Sequence, residues 1–255
     1  GRELGLDKPM VVQYLLWAGN ALTGDFGDSL WYQRNSLDII KERMPATLQL
    51  SGIAYVLAIL VGVSLGIASA VKRGSLLDLF IRGFALVGQA APPFWLAIVL
   101  IYIFAVHLGW LPTSRRGDWT NFVLPVITLA WLSSAGIARI TRSSLLEVLD
   151  SEYITLARAK GVGRKSVIFK HALRNALVAP LTVAAVLFAS FITGTVVVET
   201  VFAWPGLGRL AVDSALNNDF PLVTGITVIF AIIYLLSSLA ADLLYAYIDP
   251  RIRIY

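Results

Sequence analysis

Histidine, cysteine and glycine-rich loops are the usual sources of metal, nucleophilic and phosphate chemistry, and this chain has few of them. His107 and His171 each lack a second ligand at the spacing of a metal site. The segment "KGVGRKS", residues 160–166, has the glycines and the Lys-Ser pair of a phosphate-binding loop but not its spacing. Cysteine is absent, which excludes disulfides, thiolate metal sites and a cysteine nucleophile. We therefore expect no metal, cofactor or catalytic group in this chain.

The glycines and lysines of that segment belong to a longer basic stretch, "EYITLARAKGVGRKSVIFKHALRNA", residues 152–176. It carries six Lys or Arg residues and one acid, between long runs that have no charge. A net charge of +5 could indicate nucleic-acid binding, so the position of these cations relative to the rest of the chain decides their meaning.

The rest of the chain has the composition of a membrane protein. Hydrophobic residues make up 57% of it and charged residues 15%, whereas soluble domains have about 25% charged residues. Charge-free runs of spanning length predict membrane helices at 44–71, 83–111, 119–138, 175–198 and 220–241. Helices are expected because a lipid-exposed span must satisfy its own backbone groups. The fold class is therefore an all-α polytopic membrane protein. A kink or break is expected near residues 89–93, with the main part of the second span from Pro93 to about Trp110.

The loops between these spans differ in charge. One side of the membrane receives eight Lys/Arg and ten Asp/Glu, and the other receives thirteen and six. The positive-inside rule puts the second side, with the basic stretch and the C-terminus, in the cytoplasm, so nucleic acid is not needed to explain the charge. Residues 1–43 and 199–219 are then external. Because 1–43 contain no export signal, we expect a further span before them, six in all.

The basic stretch has the pattern of two short helices in a cytoplasmic loop, residues 150–174. Asp150 or Ser151 can cap the first helix, which runs to about Lys160, and "GVG" breaks it. The apolar side of the second helix consists of Val167, Ile168, Ala172 and Leu173. Small residues at the bend would let the backbone of another protein approach closely. A loop that only attracts anionic lipid would not need this hinge.

Two segments predicted to be external also have a helical pattern. In 1–43, Asp7 could cap a helix whose first turn holds Pro9, and Asn35 or Ser36 could cap a second one. In 199–219, "WPGLG" predicts a rigid turn before a short surface helix. That turn is either a re-entrant connector or a docking element for an external partner.

The predicted spans contain no Asp, Glu or Lys, which argues against a proton-coupled carrier made of this chain alone. Polar residues within one span could line a pathway, although helix packing explains them equally well. These pathway candidates are Thr182, Ser190, Thr193 and Thr195.

The basic stretch resembles the EAA loop of ABC-importer permeases, in the form of the dipeptide/oligopeptide/nickel branch. Gly161 stands at the glycine of that motif and Ala157 at its second alanine, while Thr155 replaces the glutamate. The stretches "GDFGDS", "AVKRGSLLD", "RITRSSLLEVL", "ETVFAWPGLGR" and "DPRIR" resemble the same branch in the same order. The similarity covers nearly the whole chain and implies a single type I permease domain over 1–255.

The resemblance also implies partners. These would be a homologous second permease, two ATPase subunits that hold ATP and Mg²⁺, and an external substrate-binding protein in a bacterial inner membrane. The residues that would contact an ATPase are Thr155, Ala157, Arg158, Ala159, Lys160, Gly161, Val162 and Arg164. The residues that would face the binding protein are Trp204, Pro205, Gly206, Leu207 and Gly208.

Two functions remain possible on this basis. The first is a non-catalytic permease subunit that forms the pathway of an ATP-driven importer of peptides or a related solute. The second is an ATP-independent channel or secondary carrier whose basic loop only anchors it to lipid.

Overall fold

The structure is a computed structural model that describes residues 9–113 and 116–248, and the side chains of those residues up to 243. Within these ranges the secondary structure is helical, apart from an isolated antiparallel bridge between Asp28 and Asn35. The expected cap Asp7 and the terminal "DPRIR" lie outside the described residues. An all-α fold is confirmed.

Short turns separate most of the helices, which we number in chain order. They are α1 Met10–Leu22, α2 Ser36–Val71, α3 Leu76–Ala90, α4 Pro93–His107, α5 Thr120–Leu149, α6 Glu152–Ala159, α7 Arg164–Ala176, α8 Val178–Thr193, α9 Thr195–Val201, α10 Leu207–Leu216 and α11 Phe220–Ile248. The second half of α4, Ile101–His107, and the middle of α7, Val167–Ala172, have π-helical hydrogen bonding.

Three of these helices, α2, α5 and α11, are long and apolar enough to cross a membrane. Two bent pairs, α3 with α4 and α7 with α8, raise the number to five if each pair crosses as a unit. Five is the number of spans that the charge-free runs predict. The 36 residues of α2 span about 54 Å, well beyond the apolar core of about 30 Å, so α2 extends into the aqueous layer.

The second predicted span is sharply bent in the structure. A kink or break was expected near residues 89–93, and α3 and α4 meet at an angle of 112° across Ala91 and Pro92. The kink position near Pro92 and Pro93 is correct, because Pro93 is the first residue of α4. Helix α3 also begins earlier, at Leu76, where the Ser75 hydroxyl accepts from the amide of Asp78 at 3.3 Å.

Close packing of α2 against α5 forms the centre of the fold. A Cβ on Gly62 would lie 2.7 Å from the Cβ of Ile137, and a Cβ on Gly66 would lie 2.7 Å from the carbonyl oxygen of Ala138. These glycines form a G-x-x-x-G pair, which lets two membrane helices approach closely. The buried cluster around them includes Leu50, also on α2.

The N-terminal ends of α2 and α11, which were predicted to be external, share one anchor. Asp219, which directly precedes α11, accepts from the Ser29 hydroxyl and from the amides of Leu30 at 3.1 Å and Trp31 at 3.3 Å. Its carboxylate also accepts from the amide of Leu222 at 3.4 Å, in the first turn of α11. The turn that leads into α2 is therefore fixed to the start of α11.

The two helices expected in 1–43 are present. Helix α1 begins after Pro9 and is followed by Gly24, whose φ is +84°. Asn35 caps α2, and its side chain accepts from the amide of Leu37 at 3.0 Å.

Candidate functional site

The basic loop contains the predicted break at Gly161. Helix α6 ends at Ala159, and Gly161 has φ +78°, in the left-handed region that favours glycine. The amide of Gly161 donates to the carbonyl of Arg158, and the amide of Val162 donates to that of Ala157, at 3.0 and 3.2 Å. This is a Schellman C-cap, so the turn between α6 and α7 has a defined shape.

The start of α6 differs from expectation in its cap. Ser151 occupies the N-cap position, but its hydroxyl donates to the carbonyl of Val148 instead of accepting from α6. Neither Ser151 nor Asp150 caps the helix with its side chain, because Asp150 pairs with Arg73 at 3.4 Å. The negative charge of Glu152 in the first turn still complements the helix dipole.

One face of the loop is packed against the ends of the spans that are nearest to it in the fold. Ile154 of α6 is fully buried and clusters with Ala70 of α2, Leu145 of α5, and Val167 and Ala172 of α7. The expected apolar side of α7 is therefore confirmed at Val167 and Ala172.

Two loop arginines are bonded to the last carbonyls of two spans. The Arg158 guanidinium donates to the carbonyl of Leu149, the final residue of α5, at 3.2 Å. The Arg164 guanidinium donates to the carbonyl of Val71, the final residue of α2, also at 3.2 Å. Cations are favourable at helix C-termini, where carbonyl groups lack helical partners. Both arginines therefore attach the loop to the C-terminal ends of α5 and α2.

The opposite face of the loop is open to solvent. Tyr153, Leu156 and Phe169 expose 44, 56 and 61% of their surface, which is unusual for apolar side chains in a basic loop. Among the predicted contact residues the exposed ones are Thr155, Arg158, Ala159, Lys160, Gly161 and Arg164, while Ala157 and Val162 are half-buried. The loop thus has one face packed on the spans and one face free.

The external turn is built around a buried carboxylate. Glu199, in α9, is fully buried and accepts from the Thr47 hydroxyl of α2 at 2.7 Å and from the amide of Arg209 at 3.1 Å. The same Thr47 hydroxyl accepts from the amide of Leu207, and the Trp204 indole donates to the carbonyl of Ala46 at 3.0 Å. These bonds fix the turn to the external part of α2.

The residues predicted to face a binding protein are therefore mostly interior. Trp204, Gly206, Leu207 and Gly208 are buried and Pro205 is half-buried. They determine the shape of the turn, and contact with a partner through them remains a prediction.

The glycines of this turn are needed because a side chain would not fit, and not because their dihedral angles are unusual. A Cβ on Gly206 would collide with the carboxylate of Glu199, and a Cβ on Gly208 would lie 2.6 Å from the Cα of Val196. The positive φ, +50°, is at Ala203. Lack of room for a side chain therefore explains these two glycines.

The pathway candidates do not form one surface. Ser190 and Thr193 are exposed on α8, and Thr193 donates to the carbonyl of Ser190. Thr182 is half-buried and bonds within its own helix, and Thr195 is fully buried. Pathway lining stays a prediction for these residues, with Ser190 and Thr193 the two that are accessible.

Sequence reasoning missed the buried acids. Glu199 follows directly after a charge-free run, and Asp78 lies in a loop-proximal stretch, so both were counted as loop charges. The signal for Glu199 was its position at the edge of an apolar run with two glycines nearby. Within the side chains that the structure describes, no group of three His, Cys, Asp or Glu is arranged to hold a metal ion.

Comparison with known proteins identifies the family. Residues 62–254 match the family described as "Binding-protein-dependent transport system inner membrane component". The chain belongs to this family. The matched region begins within α2 and includes the basic loop and the external turn.

Curated relatives extend the similarity to nearly the whole chain. The oligopeptide transport system permease protein AppB of Bacillus subtilis is 42% identical over 98% of this chain and 83% of the relative. The glutathione transport system permease protein GsiC of Salmonella paratyphi A is 40% identical over 99% of this chain and 82% of the relative.

Solved structures agree on the fold. The inward-facing MetNI methionine ABC transporter gives a TM-score of 0.69 over 83% of this chain and 96% of the matched chain, at 18% identity. An amino acid ABC transporter gives 0.67 over 82% and 94%, at 19% identity. This family member therefore has the fold of ABC-importer permeases, as the sequence resemblance implied.

Proposed function

We propose that this chain forms half of the translocation pathway of an ATP-driven importer, and that the α6–α7 loop is the part an ATPase subunit moves. The observation that carries the proposal is the pair of bonds from Arg158 and Arg164 to the last carbonyls of α5 and α2. A displacement of α6 would act directly on two packed spans. The buried side chain of Ile154 adds apolar contact to the same connection.

The exposed face of the loop supports a protein partner and not only a lipid surface. Leu156 and Phe169 are exposed among cations, and a defined C-cap holds α6 at a fixed angle. A partner with an apolar cleft and acidic rim would match this face. The ATPase would bind here, contributing ATP and Mg²⁺, and the permease itself would be non-catalytic.

The complete assembly would contain this chain, a homologous second permease, two ATPase subunits and an external substrate-binding protein in a bacterial inner membrane. The C-terminus and the basic loop would be cytoplasmic, following the charge difference between the two sides. The external turn would be re-entrant, because Trp204 and Leu207 are buried against α2. Binding-protein contact would then fall on its exposed surroundings, such as Leu216.

For the substrate we propose a short peptide or a peptide-like thiol compound. Relatives at 40 to 42% identity are named for oligopeptide and glutathione transport. A channel or secondary carrier is the less favoured function, because neither requires a loop with one face packed on the spans and one exposed apolar face.

The proposal is tested by co-purification. The tagged permease should retain its ATPase subunits, and Leu156→Arg should release them while the permease stays folded in the membrane. The matched control is Leu216→Arg, which changes another exposed leucine at the other end of the molecule. Retention of the ATPase by Leu156→Arg would contradict the assignment of the loop, and its absence from the wild-type complex would favour the carrier.

A further inference from the structure

A cavity of about 340 Å³ opens between α2, α3 and α5, at the level where charges reappear after the apolar runs. Arg82 directly precedes the charge-free run that begins at Gly83, and Arg139 directly follows the run that ends at Ala138. Both arginines line the cavity, together with Arg142. Charge distribution assigns this level to the headgroups of the cytoplasmic leaflet.

The charges around the cavity are not balanced. Asp78 is 1% exposed and accepts from Arg142 Nε at 2.9 Å and Nη2 at 3.1 Å, and Arg82 Nε lies 3.6 Å from the same carboxylate. The Ser69 hydroxyl and the amide of Gly74 also donate to Asp78. One buried carboxylate therefore pairs with two of the three arginines around the cavity, which leaves two positive charges uncompensated.

Arg139 is the cation that Asp78 does not reach. It is exposed, and it makes no hydrogen bond or ion pair with any side chain or backbone group in the part of the chain that the structure describes. Ser143 and Gln89 line the cavity beside it and offer neutral donors. An anion in the cavity would supply the missing partner.

The other wall of the cavity is apolar and continues onto an exposed surface. Ile81, Ala85 and Leu86 of α3 line it, and Leu86 is 75% exposed. Leu79, which lies two turns before Leu86 on the same face of α3, is 58% exposed. A ligand with a phosphate and an acyl chain would match both walls, whereas free phosphate would use only the polar one.

We propose that this cavity binds the phosphate headgroup of an anionic phospholipid, with Arg82 and Arg139 at the phosphate and the acyl chains along α3. The bound lipid would neutralise the charge that Asp78 leaves uncompensated. It would also connect α3 to α5 at the cytoplasmic edge of the bilayer, beside the buried pair Asp78–Arg142.

The test uses the purified complete complex, titrated with phosphatidylglycerol or phosphatidylcholine of the same acyl chains and observed by native mass spectrometry. The wild type should bind phosphatidylglycerol more tightly than phosphatidylcholine. Arg82→Gln and Arg139→Gln should each weaken that binding about fivefold, which corresponds to about 1 kcal/mol for a cation near an anionic membrane surface. Neither change removes the Asp78–Arg142 pair, so both variants should elute as intact complexes.

Lys72→Gln is the matched control, because it removes one cation from the same side of the membrane at an exposed position outside the cavity. It should leave phosphatidylglycerol binding unchanged. Equal binding of the two lipids, or an equal loss in Lys72→Gln, would overturn the site. Displacement of the lipid by millimolar inorganic phosphate would show a soluble-anion site. Binding only by the isolated permease would show that a partner subunit covers the cavity. Either result overturns the lipid assignment.

Discussion

The hydroxyl of Thr47 donates to the carboxylate of Glu199 at 2.7 Å, across a separation of 152 residues. The same hydroxyl accepts from the amide of Leu207. One threonine of α2 thus joins the buried acid of α9 to the first residue of α10, and the external turn depends on it.

Thr47→Val should destabilise the protein more than a single lost hydrogen bond would. It leaves an oxygen of Glu199 and the amide of Leu207 without this partner, at about 1–3 kcal/mol for each buried group. Thr47→Ser should restore most of the stability because it keeps the hydroxyl. The measurement is the thermal unfolding midpoint of the purified complex.

Thr200→Val is the control for this pair, since Thr200 is exposed and its hydroxyl bonds only within its own helix. Its effect should stay within about 0.5 kcal/mol. Similar losses for Thr47→Val and Thr200→Val would mean that the Glu199 network does not stabilise the turn.

Gly66→Ala should separate α2 from α5. The added Cβ would lie 2.7 Å from the Ala138 carbonyl oxygen, and overpacking of this kind costs about 1–3 kcal/mol. Gly52→Ala, on the same helix, meets no atom within 4 Å and should be neutral or slightly stabilising. The unfolding midpoint should therefore fall for Gly66→Ala and not for Gly52→Ala. An equal change in both variants would exclude close packing as the reason for Gly66.

Gly161→Val should impair the coupling of ATP hydrolysis to transport, while Gly161→Asn should retain most of that coupling. Left-handed backbone costs most L-residues about 1–2 kcal/mol, and Asn tolerates it better. Among the described residues, no atom beyond the two chain neighbours lies within 4 Å of a Cβ at this position, so backbone strain is the expected cause within this part of the chain. Substrate-stimulated ATP hydrolysis and uptake would be compared at equal membrane levels. Equal loss in both variants would instead indicate that a partner's backbone contacts Gly161.

Arg158→Gln and Arg164→Gln should each loosen the loop from the spans. A cation at a helix C-terminus contributes about 0.3–1 kcal/mol, which predicts up to about fivefold faster amide hydrogen exchange in α6 for each variant. Lys165→Gln removes the neighbouring exposed cation and should leave the exchange rates as they are. Unchanged exchange in both arginine variants would show that the two carbonyl contacts do not hold the loop.

Much of the architecture follows from local sequence. The apolar runs locate the helices, and Gly161 marks the break between α6 and α7, because both depend only on neighbouring residues. The bend of 112° before Pro93 shows the limit of such reasoning. The prolines give its position, while its angle depends on what α3 packs against.

The functions of individual side chains were harder to predict. Arg158 and Arg164 were predicted only as contacts of an ATPase, and the structure adds a bond from each to the end of a span. Trp204 reads as a surface aromatic, yet it is buried against α2. In each case the bonding partner is distant in the sequence or lies on another helix. Composition and spacing within one segment therefore do not predict it.

The anchor at Asp219 has a consequence for how the external side can open. Because one carboxylate holds both the turn before α2 and the first turn of α11, the outer ends of these two helices form a rigid pair. A tilt of α11 must carry the entry of α2 with it. We therefore expect an opening at this end of the molecule to move the two helix ends together, and not to separate them.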